Sequence, residues 1–486
     1  MTRTRKVALA LASAAALALT VVTSAAGAVA GTGSPWGTAI EVPGIAAVNA
    51  SFSNLVSMSC PAVGDCSAGG SYSDASGHSQ AYVVNEISGR WQTAIEVPGT
   101  AALNTGGFAE TESVSCSSPG NCTAGGDYSV GPAGSGDTRP FVARESGGVW
   151  GNAIEVPGAA GLIKGRDASA ASVSCVPGPA MDCAVAGDYA DASGHGQAFV
   201  AGETGGVWGN AIQVPGTPAL GSSAQASVVS CPAAGACTVG GTYVGSAGRS
   251  EPYAAREAGG TWARAVPIPG TAALNAGTSS QVNGLSCTSA GNCSVAGTYD
   301  ADSSGSHFQA YVDTEKNGAW GTAVEMPGLA ALNTGLIAQE YSLSCTSAGN
   351  CAAGGYYTDS AGAEQAFVIS QAAGTWGNAI EVPNTAALNQ GGNAGIRSVS
   401  CASAGNCVAG GYFARFHSGH TQALVVDETA GIWHKAQEVP GTGALNTGNQ
   451  AQVNAVSCVR AATCALGGVY GEAAALLEQP FVDSQG

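Results

Sequence analysis

One nine-residue stretch constrains this chain more than any other feature, because it is written eight times. Trp150-Gly-Asn-Ala-Ile-Glu-Val-Pro-Gly158 has near copies at Trp36 and Trp376 and looser ones at Trp91, Trp208, Trp262, Trp320 and Trp433, which together use every tryptophan in the chain. Successive copies are 55, 59, 58, 54, 58, 56 and 57 residues apart. A fixed period of this size means one supersecondary unit repeated, each copy burying its apolar face against its neighbours.

A second feature keeps the same period. The cysteines fall in eight pairs, one per repeat: Cys60 and Cys66, Cys116 and Cys122, Cys175 and Cys183, Cys231 and Cys237, Cys287 and Cys293, Cys345 and Cys351, Cys401 and Cys407, Cys458 and Cys464. Repetition makes a disulfide within each copy the simplest pairing. Zinc is the weaker reading, since each copy supplies two thiols and no histidine recurs beside them.

Within a repeat, four short apolar segments are separated by Gly, Ser, Asn and Asp, and none has helical period and length. We read four β-strands, a to d. Segments a and b, such as Ser113-Val-Ser-Cys116 and Cys122-Thr-Ala-Gly-Gly-Asp-Tyr128, are built of small residues, as where backbones crowd together. Segment c carries β-branched and aromatic residues (Phe141-Val142, Phe367-Val-Ile369), and segment d runs from the Trp to a Pro that closes it. The loops between a and b, five residues long in seven copies and seven between Cys175 and Cys183, place the two cysteines opposite each other across a hairpin.

The phase of the repeat decides how the ends meet. The first copy opens on a d segment (Trp36 to Pro43) with no a, b or c before it, and the last ends on a c segment (Gln479 to Asp483). The two pieces complete one unit. The expected fold is therefore all-β: an eight-bladed β-propeller of four-stranded blades over residues 31–486, about 57 residues each, with the N-terminal strand closing the ring.

Residues 1–30 read as a signal peptide, with Arg3, Arg5 and Lys6 ahead of an apolar run from Val7 to Val22 and small residues to Ala30. Export and disulfides agree with each other, and no membrane insertion is expected after cleavage. Removing that leader leaves 13 Lys and Arg against 33 Asp and Glu, a charge of about −20, which argues against nucleic acid as a partner.

The c–d turn carries a further pattern. Glu145, Glu203 and Glu257 stand five residues before Trp150, Trp208 and Trp262, with Gly147, Gly205 and Gly259 three before. This resembles the Asp-box (BNR) repeat of sialidase-type propellers, with Glu for Asp and the leading Ser missing. The Cys-paired unit as a whole resembles BNR-like or kelch-like repeats of secreted proteins of high-GC bacteria. The resemblance implies a propeller and assigns no activity. Sialidase-type hydrolysis would need converging arginines, an acid Asp and a Tyr/Glu pair, and the mature chain's ten arginines do not recur in one strand class.

Candidate sites lie where the repetition lapses. The d–a crossing Gly161-Leu-Ile-Lys-Gly-Arg-Asp167 brings Lys164 and Arg166. The b–c turn Phe413 to His420 gathers Arg415, Phe416, His417 and His420, a composition suited to a sugar or an acidic ligand. In the fifth copy Asp300, Asp302 and Ser304 match the opening of a calcium loop, although the twelfth position holds Tyr311 and an Asx-turn is the simpler reading. His78, His195, His307 and His420 occupy the same turn of four copies and read as surface residues. No cofactor is expected. The expected function is a secreted, monomeric, non-enzymatic binding module for an extracellular glycan or protein. A secreted polysaccharide hydrolase of sialidase or glycosidase type is the alternative.

Overall fold

The computed structural model describes residues 36–132, 136–415, 419–473 and 477–485. The leader read over residues 1–30 lies outside them.

Eight antiparallel sheets follow one another along the chain. In the first, strand a (Ser53–Ala62) pairs with b (Asp65–Ser73), b with c (Ser79–Ile87), and d lies outermost on c. Inner strands of successive blades pack on one another, and that of the eighth, Ala451–Arg460, packs on that of the first. The ring closes as its phase requires. Ile40 and Glu41 pair with Val482 and Phe481, so the first strand of the propeller is the outermost strand of the last blade. The molecule is an eight-bladed β-propeller.

The core is distributed rather than central. Eight apolar clusters form, each at a junction between neighbouring blades; one joins Ala81 and Val83 of blade 1 to Val114, Tyr128 and Phe141 of blade 2. Each disulfide forms within its own hairpin, with Cα atoms 3.9–4.1 Å apart.

Two expectations about the repeat need correction. Strand d is not continuous: in blade 1 it consists of Arg90–Trp91 and Ile95–Glu96, both on strand c. The break exists because Ala94 turns its N–H away, to the carbonyl of Pro43 at the end of the preceding d strand (2.8 Å). The same bond joins Ala153 to Pro98, Ala211 to Pro157, Ala265 to Pro215, Ala323 to Pro269, Ala379 to Pro327, Ala436 to Pro383 and Ala39 to Pro440. The Ala and Pro of the opening motif are thus donor and acceptor of a closed outer ring of eight inter-blade hydrogen bonds. Secondly, one α-helical turn sits in seven of the d–a crossings, as at Thr100–Leu103, and a 3-10 turn (Ile45–Ala47) in the other. Four residues are too few to impose a readable period. The turn begins after a left-handed residue, Gly99 at φ 86°, where a side chain would press on Asn152 of the next blade at 3.1 Å.

An inner ring mirrors the outer one. The serine before each cysteine accepts the N–H of the next blade's cysteine: Ser59 from Cys116, Ser115 from Cys175, Ser174 from Cys231, Ser230 from Cys287, Ser286 from Cys345, Ser344 from Cys401, Ser400 from Cys458 and Ser457 from Cys60. All eight lie between 2.9 and 3.0 Å. The small residues of strand a are there to hydrogen-bond across blades as well as to crowd together.

Candidate functional site

Two elements of each repeat share one face of the ring. Two of the seven helical turns end on Ile163 and Gly221, and the other five end on an Asn that bonds the start of strand c: Asn104 donates to Ser79 O and Gln80 Oε1, Asn389 to Glu364 O and Gln365 Oε1, Asn446 to Thr421 O and Gln422 Oε1. Asn therefore ties the d–a crossing to the b–c turn, beyond capping its own turn. The turns are held by Asx geometry: Asp74 Oδ1 accepts Ser76 N (2.7 Å) and His78 N (3.0 Å), and Asp191 does the same for Ser193 and His195.

The motifs singled out in the sequence do not come together on this face. Lys164 and Arg166 are exposed between blades 2 and 3, and Arg166 approaches Asp137 (3.8 Å). Arg415, in blade 7, is exposed and ion-pairs with Glu438 on the outermost strand. His420 lies in the same turn and gives its carbonyl to Arg415 N; Phe416 and His417 lie outside the described residues. Asp302 is an exposed turn residue whose Oδ1 accepts Ser304 N (2.7 Å) and whose Oδ2 lies 3.5 Å from His307, so Asp302 and Ser304 form an Asx-turn. Asp300 turns the other way, into the crossing.

The glutamates of the Asp-box resemblance also have a structural task. Glu145 is buried and takes a hydrogen bond from Asn85 of the preceding blade, and at the same position of other copies Glu315 takes one from Arg256 (3.2 Å), Glu428 from Ser370 (2.6 Å) and Glu86 from Ser484 (3.0 Å). Glu203 lies 3.8 Å from Arg144 of the preceding blade, and Glu257, half-buried, accepts Cys237 N (3.3 Å) within its own blade. Where the last copy has Gln485 instead, its partner is Asp427 (3.0 Å), so donor and acceptor are exchanged and the latch survives.

A different cluster opens at the channel side of blades 6, 7 and 8. Each strand a carries a bulge, one residue left unpaired between two ladder pairs. At that position blades 6 and 7 have Tyr341 and Arg397, where blades 1 and 3 have Val56 and Ala171. The position after the Gly-Gly of strand b holds Tyr356 and Tyr412 in the same two blades, where others have Ser71, Thr242 or Val469. These four side chains, with Glu364, Gln452 and Glu478, line a cleft of about 450 Å³.

Its geometry is built around the arginine. The Arg397 guanidinium carbon stands 4.7 Å from the Tyr341 ring centroid and 5.2 Å from that of Tyr412, within cation–π range. Tyr341 packs on Tyr356 with ring centroids 5.8 Å apart. Arg397 Nε is buried with no hydrogen-bond partner. Tyr412 donates to Glu364; burial raises that carboxyl, and the hydrogen bond and the Arg397 charge oppose the rise. Burial, with Glu364 adding to it, pushes the Tyr412 phenol up to about 12. Gly395 makes the arrangement possible, since a side chain there would meet the Tyr412 hydroxyl at 3.0 Å. Sequence reasoning missed this cluster. The available signal was the pair of tyrosines after Gly-Gly in adjacent copies, and the bulge that aligns them with Tyr341 and Arg397 is not written in the pattern.

The ring's inner surface is chemically lopsided. Blades 2 and 3 place Glu112, Asp127 and Asp188 at the corresponding positions, with Glu110 paired to Asp127, and burial, then the neighbouring acids, pushes Asp127 up to about 8.

No protein-family model and no curated protein matches the chain. Solved structures of propeller type are similar to it at low identity. The β-propeller domain of the Trilobed protease from Pyrococcus furiosus is 8% identical, with 80% of this chain and 98% of that one covered and a TM-score of 0.42. The Hadza microbial sialidase Hz136 is 10% identical, covering 71% and 68%, with a TM-score of 0.36. A mutant of the Aleuria aurantia lectin in complex with α-methyl-L-fucoside is 10% identical, covering 68% and 95%, with a TM-score of 0.33. Such scores carry nothing about activity.

Proposed function

We propose that this chain is a secreted binding module that holds a neutral stretch of extracellular glycan in the cleft of blades 6–8. The observation that carries the reading is the Tyr341–Arg397–Tyr412 stack standing in a polar cleft. Aromatic faces receive the C–H faces of sugars, and the surrounding amides, carboxyls and the arginine fork serve their hydroxyls. With one arginine against Glu364 and Glu478, the lining favours an uncharged ligand over an acidic one. Eight disulfides fit an oxidising compartment, and among the described residues no helix is long and apolar enough to cross a membrane.

Screening against a glycan array followed by calorimetry tests the reading. Tyr412→Ala is expected to weaken binding at least about tenfold, or about 1.4 kcal/mol, with the fold intact by circular dichroism. Unchanged affinity in that variant would remove the cleft from the function.

The hydrolase reading has one observation in its favour, the hydrogen bond from Tyr412 to Glu364 beside Arg397. It lacks converging arginines, because among the described residues Arg397 is the one arginine lining the cleft. Release of reducing ends from any glycan that binds, abolished by Glu364→Gln, would replace the binding reading with this one.

A further inference from the structure

The crossing between blades 4 and 5 departs from its sisters in a way that changes its charge. At the crossing between blades 1 and 2, Asn104 stands between an amide, Gln80, and a hydroxyl, Ser129. Ser129 Oγ donates to Asn104 Oδ1 (3.3 Å), and the same oxygen accepts Gly107 N (3.0 Å) and Phe108 N (2.8 Å). Between blades 5 and 6, Thr358 Oγ1 donates to Asn333 Oδ1 (3.4 Å) in the same manner. At the first node none of these side-chain oxygens is left unpartnered, whereas at the second the side-chain oxygen of Gln309, the counterpart of Gln80, is buried without a partner.

Between blades 4 and 5 both outer partners of the asparagine have become acids. Asn275 is flanked by Glu251, in the place of Gln80, and by Asp300, in the place of Ser129. Asn275 Nδ2 donates to Glu251 Oε1 (3.0 Å), and Asp300 Oδ2 captures Thr278 N (3.2 Å), the counterpart of the amide that Asn104 holds in the sister crossing. Three acceptors are left over. Glu251 Oε2, Asn275 Oδ1 and Asp300 Oδ1 are buried with no hydrogen-bond partner, and Asn275 and Asp300 are each 1% exposed. The hydroxyl of Ser280, fully buried at the start of the adjoining inner strand, is also unpartnered. Gly277 leaves the space, since a side chain there would overlap Asp300 Oδ2. Among the described residues the cation at the node is Arg249, whose Nη1 donates to Asn275 O (3.2 Å) and whose charge partly opposes the burial-driven rise of Glu251.

Buried oxygens without donors cost free energy, and charged ones cost more. Buried oxygens of mixed carboxylate and amide type that lack hydrogen-bond partners are the ligand type a hard cation takes. We infer that the blade 4–5 crossing binds a hard cation of the calcium class through Asp300, Glu251 and the side-chain oxygen of Asn275. Among the described residues no three His, Cys, Asp or Glu side chains form a metal-ligating group; here two carboxylates are completed by an amide. The ion takes the place of the hydrogen that the Ser129 hydroxyl gives to Asn104 at the sister crossing, and it ties blade 4 to blade 5.

The test uses the full chain purified with and without chelator, then titrated with Ca²⁺, Mg²⁺ or Na⁺ while thermal unfolding is followed and bound metal is measured by mass spectrometry. The expected result is one Ca²⁺ retained per chain and a melting midpoint that rises with Ca²⁺ and falls on chelation. The double variant E251Q/D300S, which restores the sister chemistry and is expected to fold, should retain no metal and melt independently of Ca²⁺. Absence of bound metal together with an unchanged wild-type midpoint would overturn the inference and leave a bridging water as the occupant. A Ca²⁺ response that persists in the double variant would also overturn it, by placing the ion elsewhere.

Discussion

Glu340 is the residue at which this chain departs furthest from its own repeat. The equivalent inner-strand positions are Leu55, Ala170, Ala226, Val282, Ile396 and Val453, with Thr111 the other exception. Glu340 is fully buried, neither carboxyl oxygen has a partner, and burial pushes it up to about 8. Gly284 of the neighbouring inner strand makes room, since a side chain there would crowd Glu340 Oε1 at 3.0 Å. The sign of the consequence follows from linkage. Below the ordinary carboxyl range both folded and unfolded states hold the proton. From there up to about pH 8 the unfolded state ionises while the folded state does not, so stability falls as pH rises, by at most about 1.4 kcal/mol per pH unit. Asp127 adds to the same slope. Glu340→Gln should therefore gain most over the wild type at pH 8 and least at pH 4, measured by denaturant unfolding across that range. A difference between the two proteins that is constant with pH would show that Glu340 is ionised in the fold.

At the scale of elements, the inner strands are joined by two tiers of serine. The tier beside the cysteines is complete in all eight blades. The other, two residues earlier, is present where Ser57, Ser113, Ser172, Ser342 and Ser398 accept the N–H of Val114, Val173, Val229, Val399 and Val456. Val228, Gly284 and Ala455 replace serine in the remaining three. A position that is filled without exception should tolerate change less than one that is not. Ser344→Ala, which strands the Cys401 N–H, is expected to cost about 1–3 kcal/mol, and Ser342→Ala distinctly less, by equilibrium denaturation of the oxidised protein. The disulfides sit on the same strands. Closing a loop of roughly seven residues stabilises each hairpin by about 2.4 kcal/mol in the loop-entropy model, so the Cys287→Ser/Cys293→Ser double variant should lower the unfolding midpoint without changing the sheet content.

At the scale of the whole molecule, closure rests on a short piece of chain. Ile40 and Glu41 pair with Val482 and Phe481, Trp36 forms a bridge with Gln485, and Ala39 and Pro43 join the outer hydrogen-bonded ring on either side. Removing residues 36–44 would bare the c strand of blade 8 and break the outer ring at two junctions. A chain in which that segment is moved to follow residue 485 through a four-residue turn, like the one between Glu145 and Trp150, should recover the wild-type melting midpoint, whereas simple deletion should lower it and promote self-association, read by scattering. Equal midpoints for deletion and wild type would mean that the clasp contributes little.

The blade count, the cysteine pairing and the closing strand were all legible in the chain, because a repeat states its period and phase openly and local disulfides need no knowledge of the rest. Residue types also pointed correctly to small, crowded inner strands. The tertiary structure alone decided what the repeated motif does and where the variation gathers. Trp-x-x-Ala-x-Glu-Val-Pro reads as one strand, yet its Ala bonds to a proline one repeat earlier, a contact no local pattern expresses. Tyr341, Arg397 and Tyr412 stand 56 and 15 residues apart along the chain and meet because a bulge in each inner strand shifts its register, while Arg415, more conspicuous in sequence, turns outward to Glu438. Periodicity specifies the ring because every blade must satisfy it; a site is made by the few side chains freed from it, and their meeting depends on the packing of the completed ring.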